Sequence, residues 1–182
     1  MTYYGGKEMA AAFRTVRDNT LKIAEEIPEE KYSFKPANES RTIGQTLTHI
    51  ALGSGFQHHI HGNKVTDLKT LNFPEMMKNV QAEEAKTRSK TEIIAFLTSE
   101  GDTFASFLEG LPEPFLAEQV TMPPGATPAT KSRFEMLLGA KEHEMHHRAQ
   151  LMTAQRMIGQ VPHLTRQMQE RFAQHAAAAA QK

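Results

Sequence analysis

Apolar side chains in the first stretch of the chain recur in steps of four and three: Met9, Phe13, Val16, Ile23 and Ile27, with Thr20 filling the gap. That spacing marks one buried helix face and predicts a helix from Lys7 to Ile27, stopped by Pro28. Pro28 to Ser40 reads as a loop. Thr42-Ile43-Gly44-Gln45 then fits a capping box, so a second helix starts there, runs to about His61 and ends at Gly62-Asn63. Its apolar stripe is Ile43, Leu47 and Ile50. His49 lies about 100° from that stripe, on a narrow mixed flank with Thr46, Gly53, Phe56 and Ile60.

Residues 62–87 form a long polar connection, too long for a tight helical hairpin, which predicts a crossover or a lid. Ser89-Lys90-Thr91-Glu92 is another capping box, followed by a helix carrying Ile93, Leu97, Phe104, Leu108 and Leu111 on one face. Pro112 and Pro114 end it, and Met122-Pro123-Pro124-Gly125 with Pro128 marks an irregular loop. A fourth helix spans about Lys131 to Ile158, before Gly159 and Pro162. Leu164 to Ala180 is helix-prone but polar. The expected fold is all-α: a four-helix bundle (residues 1–165) with a long crossover connection, then a short C-terminal helical or disordered tail (166–182).

Composition narrows the function. Lys+Arg and Asp+Glu number 21 each, which gives no reason to expect nucleic acid or an acidic membrane as partner. There is no cysteine, hence no disulfide framework, thiolate zinc site or cysteine nucleophile. The N-terminal residues lack the apolar core of a signal peptide, and no apolar run is long enough to span a bilayer. The expectation is a cytoplasmic protein acting on a small molecule.

The candidate chemistry lies in His143-Glu144-Met145-His146-His147-Arg148-Ala149-Gln150-Leu151. His143 and His147 are four residues apart, one helical turn, and both can reach one cation. Their face continues toward the core through Ala140 and Ala154, where two unpartnered imidazoles would be costly to bury. His146 is an alternative partner for His143. His49 has the right residue type and the right flank for a third ligand, although spacing alone does not select it. Three neutral imidazoles leave zinc, nickel or iron with open positions, which favours chemistry over a structural role. His58, His59 and His61 read as a solvated helix end, and His163 and His175 as surface residues. Met136, Met145, Met152 and Met157 read as core filling.

His143-Glu144-Met145-His146-His147 also satisfies the H-E-x-x-H pattern of zinc peptidases, with Glu144 as general base. Such enzymes set this helix beside a sheet, and none is readable here.

Taken together, the early Thr48-His49-Ile50-Ala51 and the late His143-x-x-x-His147-Arg148-Ala149-Gln150 resemble the DinB/YfiT-like superfamily. Phe34-Lys35-Pro36, Arg41-Thr42-Ile43-Gly44 and Gly159-Gln160-Val161-Pro162 are supporting matches, and the likeness covers roughly residues 7–165. Ala149 stands where glycine is commonest. The resemblance implies a bundle with a long crossover, often a homodimer, and a divalent metal held by His49, His143 and His147. It also implies a low-molecular-weight thiol cofactor such as bacillithiol or mycothiol, activated for S-transfer or isomerisation. Other members are regarded as metal-dependent hydrolases, so hydrolysis by metal-activated water is the alternative reaction. A non-enzymatic metal-binding stress protein is the third reading, and a purely helical interaction module the fourth. Glu144 is the nearest candidate for a base, Gln150 for orienting a ligand histidine, and Arg148 for pairing with a neighbouring helix carboxylate.

Overall fold

Each long helix begins where a side chain takes up its free backbone N–H groups. In the computed structural model, which describes residues 4–180, α1 (Gly6–Glu26) opens with Glu8 accepting from the Gly5 N–H at 2.8 Å. α2 (Ile43–Gly62) has the reciprocal box: Gln45 N–H donates to Thr42 Oγ1 at 3.1 Å and Thr42 N–H to Gln45 Oε1 at 3.0 Å. α4 (Lys90–Glu109) repeats it with Ser89 and Glu92. α6 (Arg133–Met157) starts on a Ser132 cap. Such caps contribute roughly 1 kcal/mol each.

The expected polar connection contains a helix of its own, α3 (Phe73–Glu84). Two features hid it: none of its residues is buried, and Pro74 reads as a breaker. Proline in a first turn is tolerated, because its missing N–H had no helical partner to lose. The loop expected after the third helix holds a short helix, α5 (Glu113–Ala117), and an antiparallel ribbon of β1 (Gln119–Thr121) and β2 (Thr130–Ser132), with Val120 opposite Lys131.

The long helices pack in the ring α1–α4–α2–α6. One core cluster joins Ile23 and Ile27 of α1 to Ile43 and Leu47 of α2, Ile93 and Leu97 of α4, and Leu151 and Ala154 of α6. The other joins Met9 and Phe13 to Phe104, Leu108, Leu137 and Ala140. The ends that meet show that α1 and α6 run parallel to each other and antiparallel to α2 and α4. The parallel neighbours α2 and α4 therefore require a long crossover. Ile60, Leu68 and Val120 seal it against the ribbon.

A polar layer separates the two clusters. Arg17 of α1 donates to both oxygens of Glu144 of α6 (3.0 and 3.1 Å from Nε, 3.0 Å from Nη2), to the Leu97 carbonyl of α4 and to Ser54 of α2. Gly101 makes room, since a Cβ there would lie 2.7 Å from Arg17 Nη1.

α7 (His163–Ala180) leaves the bundle, and Met168 to Ala180 are exposed throughout. The boundary expected at 165/166 falls inside this helix. Met1–Tyr3 and the last two residues of the expected tail lie outside the described residues. No helix among the described residues is long and apolar enough to cross a membrane.

Candidate metal centre

Antiparallel packing of α2 against α6 sets the middle of one helix on the middle of the other, and their imidazoles meet there. His49 Nε2 lies 3.0 Å from His143 Nε2, which lies 3.1 Å from His147 Nε2. One ring nitrogen from each residue falls within 4.8 Å of the others. Gly53, one turn on from His49, makes this approach possible: a Cβ there would sit 2.9 Å from Cε1 and Nδ1 of His143.

The opposite ring nitrogens are held from outside. His49 Nδ1 donates to Glu84 Oε1 at 2.7 Å, and Glu84 also accepts from Arg41 Nε at 2.7 Å and Nη2 at 3.2 Å. His147 Nδ1 donates to Gln150 Oε1 at 2.8 Å. A carboxylate and an amide oxygen can only accept, so each of these rings carries its proton on Nδ1 and turns a lone pair inward from Nε2. His143 Nε2 stands between two acceptors and has at most one proton to offer. One contact in the cluster is therefore repulsive unless a cation takes the lone pairs. Nitrogens about 2.0–2.1 Å from a tetrahedral zinc stand a little over 3 Å apart, which matches the two short separations. The donor set fits a divalent metal.

Electrostatics agree with ligand duty. Burial pushes His143 down to about 4, reinforced by His147 and His49. Burial also lowers His49 and His147, against the raising effect of the bonds to Glu84 and Gln150. Burial works to raise Glu84, but the bonds from Arg41 and His49 outweigh it and hold its carboxyl below the usual range. Neutral imidazoles and an ionised carboxylate behind one of them form the usual outer support of a histidine-bound metal.

Residues 12–151 match the family model described as the DinB superfamily. The chain belongs to the DinB superfamily. It is similar to the uncharacterized protein YjoA of Bacillus subtilis, 24% identical over 84% of this chain and 90% of that protein. The crystal structure of YjoA, a DinB-like protein, superposes with a TM-score of 0.63 at 20% identity, covering 85% of this chain and 94% of the other. Bacillus subtilis YfiT, described as a probable metal-dependent hydrolase with an unusual four-helix bundle topology, superposes with a TM-score of 0.67 at 13% identity. That match covers 88% of this chain and 91% of YfiT.

Within this DinB-superfamily chain the other sequence candidates separate. His146 is exposed on the outside of α6, where it accepts from Gln150 Nε2 at 3.1 Å. Gln150 lies behind His147. Glu144 turns away from the histidines into the core, 2% exposed and clamped by Arg17, so it is not placed to serve as their base. The zinc-peptidase reading fails on this orientation, and the only sheet among the described residues is the three-residue-deep ribbon. Arg148 has no carboxylate within salt-bridge distance among the described residues; Arg17 fills that role with α6.

Three expectations about polar and apolar surface are corrected. His61 is buried rather than solvated, accepting from Arg133 Nη1 at 3.2 Å, because the ribbon packs through Val120 against the end of α2. His163 is buried against α1, 3.0 Å from Asn19 Oδ1, because α7 begins there. Met145 and Met157 are exposed, leaving only Met136 and Met152 packed against core clusters.

Sequence reasoning missed Glu84, Arg41 and Arg17. Glu84 lay in a segment read as loop, although the Phe73, Met77, Val80 spacing held a weak helical signal for it.

Proposed function

We propose that this protein is a metal-dependent enzyme in which His49, His143 and His147 hold a divalent ion that activates a low-molecular-weight thiol for S-transfer. The convergence of three Nε2 atoms, two of them backed by Glu84 and Gln150, carries the reading. Zinc, nickel or iron there would supply Lewis acidity, lowering the pKa of a coordinated thiol.

The chain's own residues favour a thiol over water. Glu84 is engaged by His49 and Arg41, and Glu144 by Arg17, so neither is free to take a proton. A thiol, with a free pKa of about 8.5, needs far less assistance than water, at about 15.7. A cavity of about 340 Å³ with Leu52, Phe56 and Val80 in its wall opens beside His49 and His143, room for an organic substrate next to the thiol. Hydrolysis is the second reading, favoured by the likeness to YfiT with its probable metal-dependent hydrolase description. The balanced charge and the family resemblance support a cytoplasmic homodimer acting on a small molecule, without nucleic acid or membrane.

The test is elemental analysis of the purified protein beside a His143→Ala, His147→Ala double variant. About one transition-metal ion per chain in the parent and almost none in the variant is the expected result. No metal in either, after reconstitution with zinc, nickel and iron, overturns the proposal. Substrate trials with and without thiol then separate S-transfer from hydrolysis.

A further inference from the structure

Two hollows flank the histidine triad, one mainly apolar and one mixed. On the His143 side the 340 Å³ cavity is walled by Leu52, Phe56, Met77, Val80 and Ala140. An apolar cavity of about 150 Å³ already accommodates a benzene ring, so this one takes a larger body. Beyond Phe56 and Gln57, which line both spaces, lies a second hollow of about 610 Å³ formed by Ile60, Leu68, Phe73, Met122 and Met136. Lys131, Glu135 and Glu142 complete its outer part. On the His147 side, a groove of about 740 Å³ mixes Glu39, Gln45, Gln150 and Thr153 with Pro36 and Ile43. The Arg41–Glu84 ion pair borders both the inner cavity and the groove.

At the sill between the two apolar spaces, Gln57 Oε1 is buried with no hydrogen-bond partner. A buried acceptor left unpaired costs about 1–3 kcal/mol; this oxygen is covered by protein on every side, so it faces neither space.

Resting on the activity proposed above, we infer that the acceptor substrate is an elongated, largely apolar molecule. Its body fills the inner cavity and continues past Phe56 into the outer hollow. The polar body of the thiol takes the groove on the His147 side. The assignment follows from the lining: burying a charged molecule among Leu52, Phe56 and Val80 would strip its solvation without return, whereas each methylene placed there gains.

Binding of n-alkanols of four to nine carbons to the full-length protein, metal-free and zinc-loaded, tests this by ligand-observed NMR. Affinity is expected to rise about fourfold per methylene across the whole series. Gly139 lines the outer hollow and a Cβ there meets nothing within 4 Å, so Gly139→Phe fills that space without a backbone clash. It should abolish the gain for the longer alcohols and leave butanol unchanged, whereas Val80→Phe in the inner cavity should weaken all of them. A series that levels off once the inner cavity is full, or a Gly139→Phe protein indistinguishable from the parent, overturns the inference. Zinc content of the same samples, read by elemental analysis, tests the metal centre separately. A zinc-loaded parent with a flat series sinks only the substrate assignment, and a parent that takes no zinc sinks the proposed activity.

Discussion

His49 and Glu84 share a 2.7 Å hydrogen bond across 35 residues of sequence, and that bond ties the crossover helix to an imidazole of the candidate metal centre. Glu84 is the last residue of α3, a helix with no buried side chain. The bond orients the His49 ring and fixes its tautomer.

Glu84→Ala is therefore expected to lower zinc affinity about 10–100-fold, the usual consequence of losing such a support. Thermal stability of the metal-free protein should change little, since α3 contributes little to the core. Competition with a chromophoric chelator measures the first and a melting curve the second. Undiminished affinity would show that His49 is oriented by packing alone.

Gly53→Ala separates folding from metal binding. Within a helix, alanine is favoured over glycine by about 0.5–1 kcal/mol. Here the added Cβ would stand 2.9 Å from the His143 ring, which must move. The expected outcome is a stability equal to or above the parent's with clearly weaker zinc binding. A variant binding zinc as tightly as the parent would mean that His143 has another productive rotamer.

The Arg17–Glu144 pair predicts a different pattern. Both side chains are almost fully buried, and losing one partner strands the other charge at a cost of about 3–5 kcal/mol. Arg17→Met and Glu144→Leu should each be strongly destabilised in urea, and the double variant should recover much of the loss. Additive effects in the double-mutant cycle would contradict a coupled pair.

His61 predicts acid sensitivity. Burial, with Arg133 adding to it, holds this imidazole down at about 4, against 6.5 when unperturbed. The unfolded chain therefore binds the extra proton first. The stabilisation from keeping His61 neutral is complete above pH 6.5 and is lost as pH falls from 6.5 toward 4. The slope approaches about 1.4 kcal/mol per pH unit for this one group. Urea unfolding of the metal-free His61→Gln protein should be less steep in pH across that window than the parent's. Equal slopes would place the titration elsewhere.

Local chemistry and periodicity were enough to read much of this molecule from its sequence. The Thr42 and Ser89 capping boxes and the Met9–Ile27 stripe depend on residues three and four apart, and they marked helices that the structure contains. The His143–His147 spacing likewise puts two imidazoles on one helical face without help from the rest of the fold. Where long-range packing decides, periodicity had nothing to report. His49 reaches the pair only because α2 runs antiparallel to α6, and Gly53 matters only because the His143 ring passes there. Glu84 arrives on a helix too exposed to show a clear stripe. Arg17 pairs with Glu144, rather than Arg148 with some carboxylate, because the core closes around a polar layer to which all four long helices contribute. Burial of His61 depends on a ribbon more than fifty residues downstream. Sequence determined the four long bundle helices and two of the three clustered imidazoles, since those are nearest-neighbour matters of the chain. Only the tertiary structure decided the third imidazole, its carboxylate support and the cavities around them, because these arise where surfaces distant in sequence come into contact.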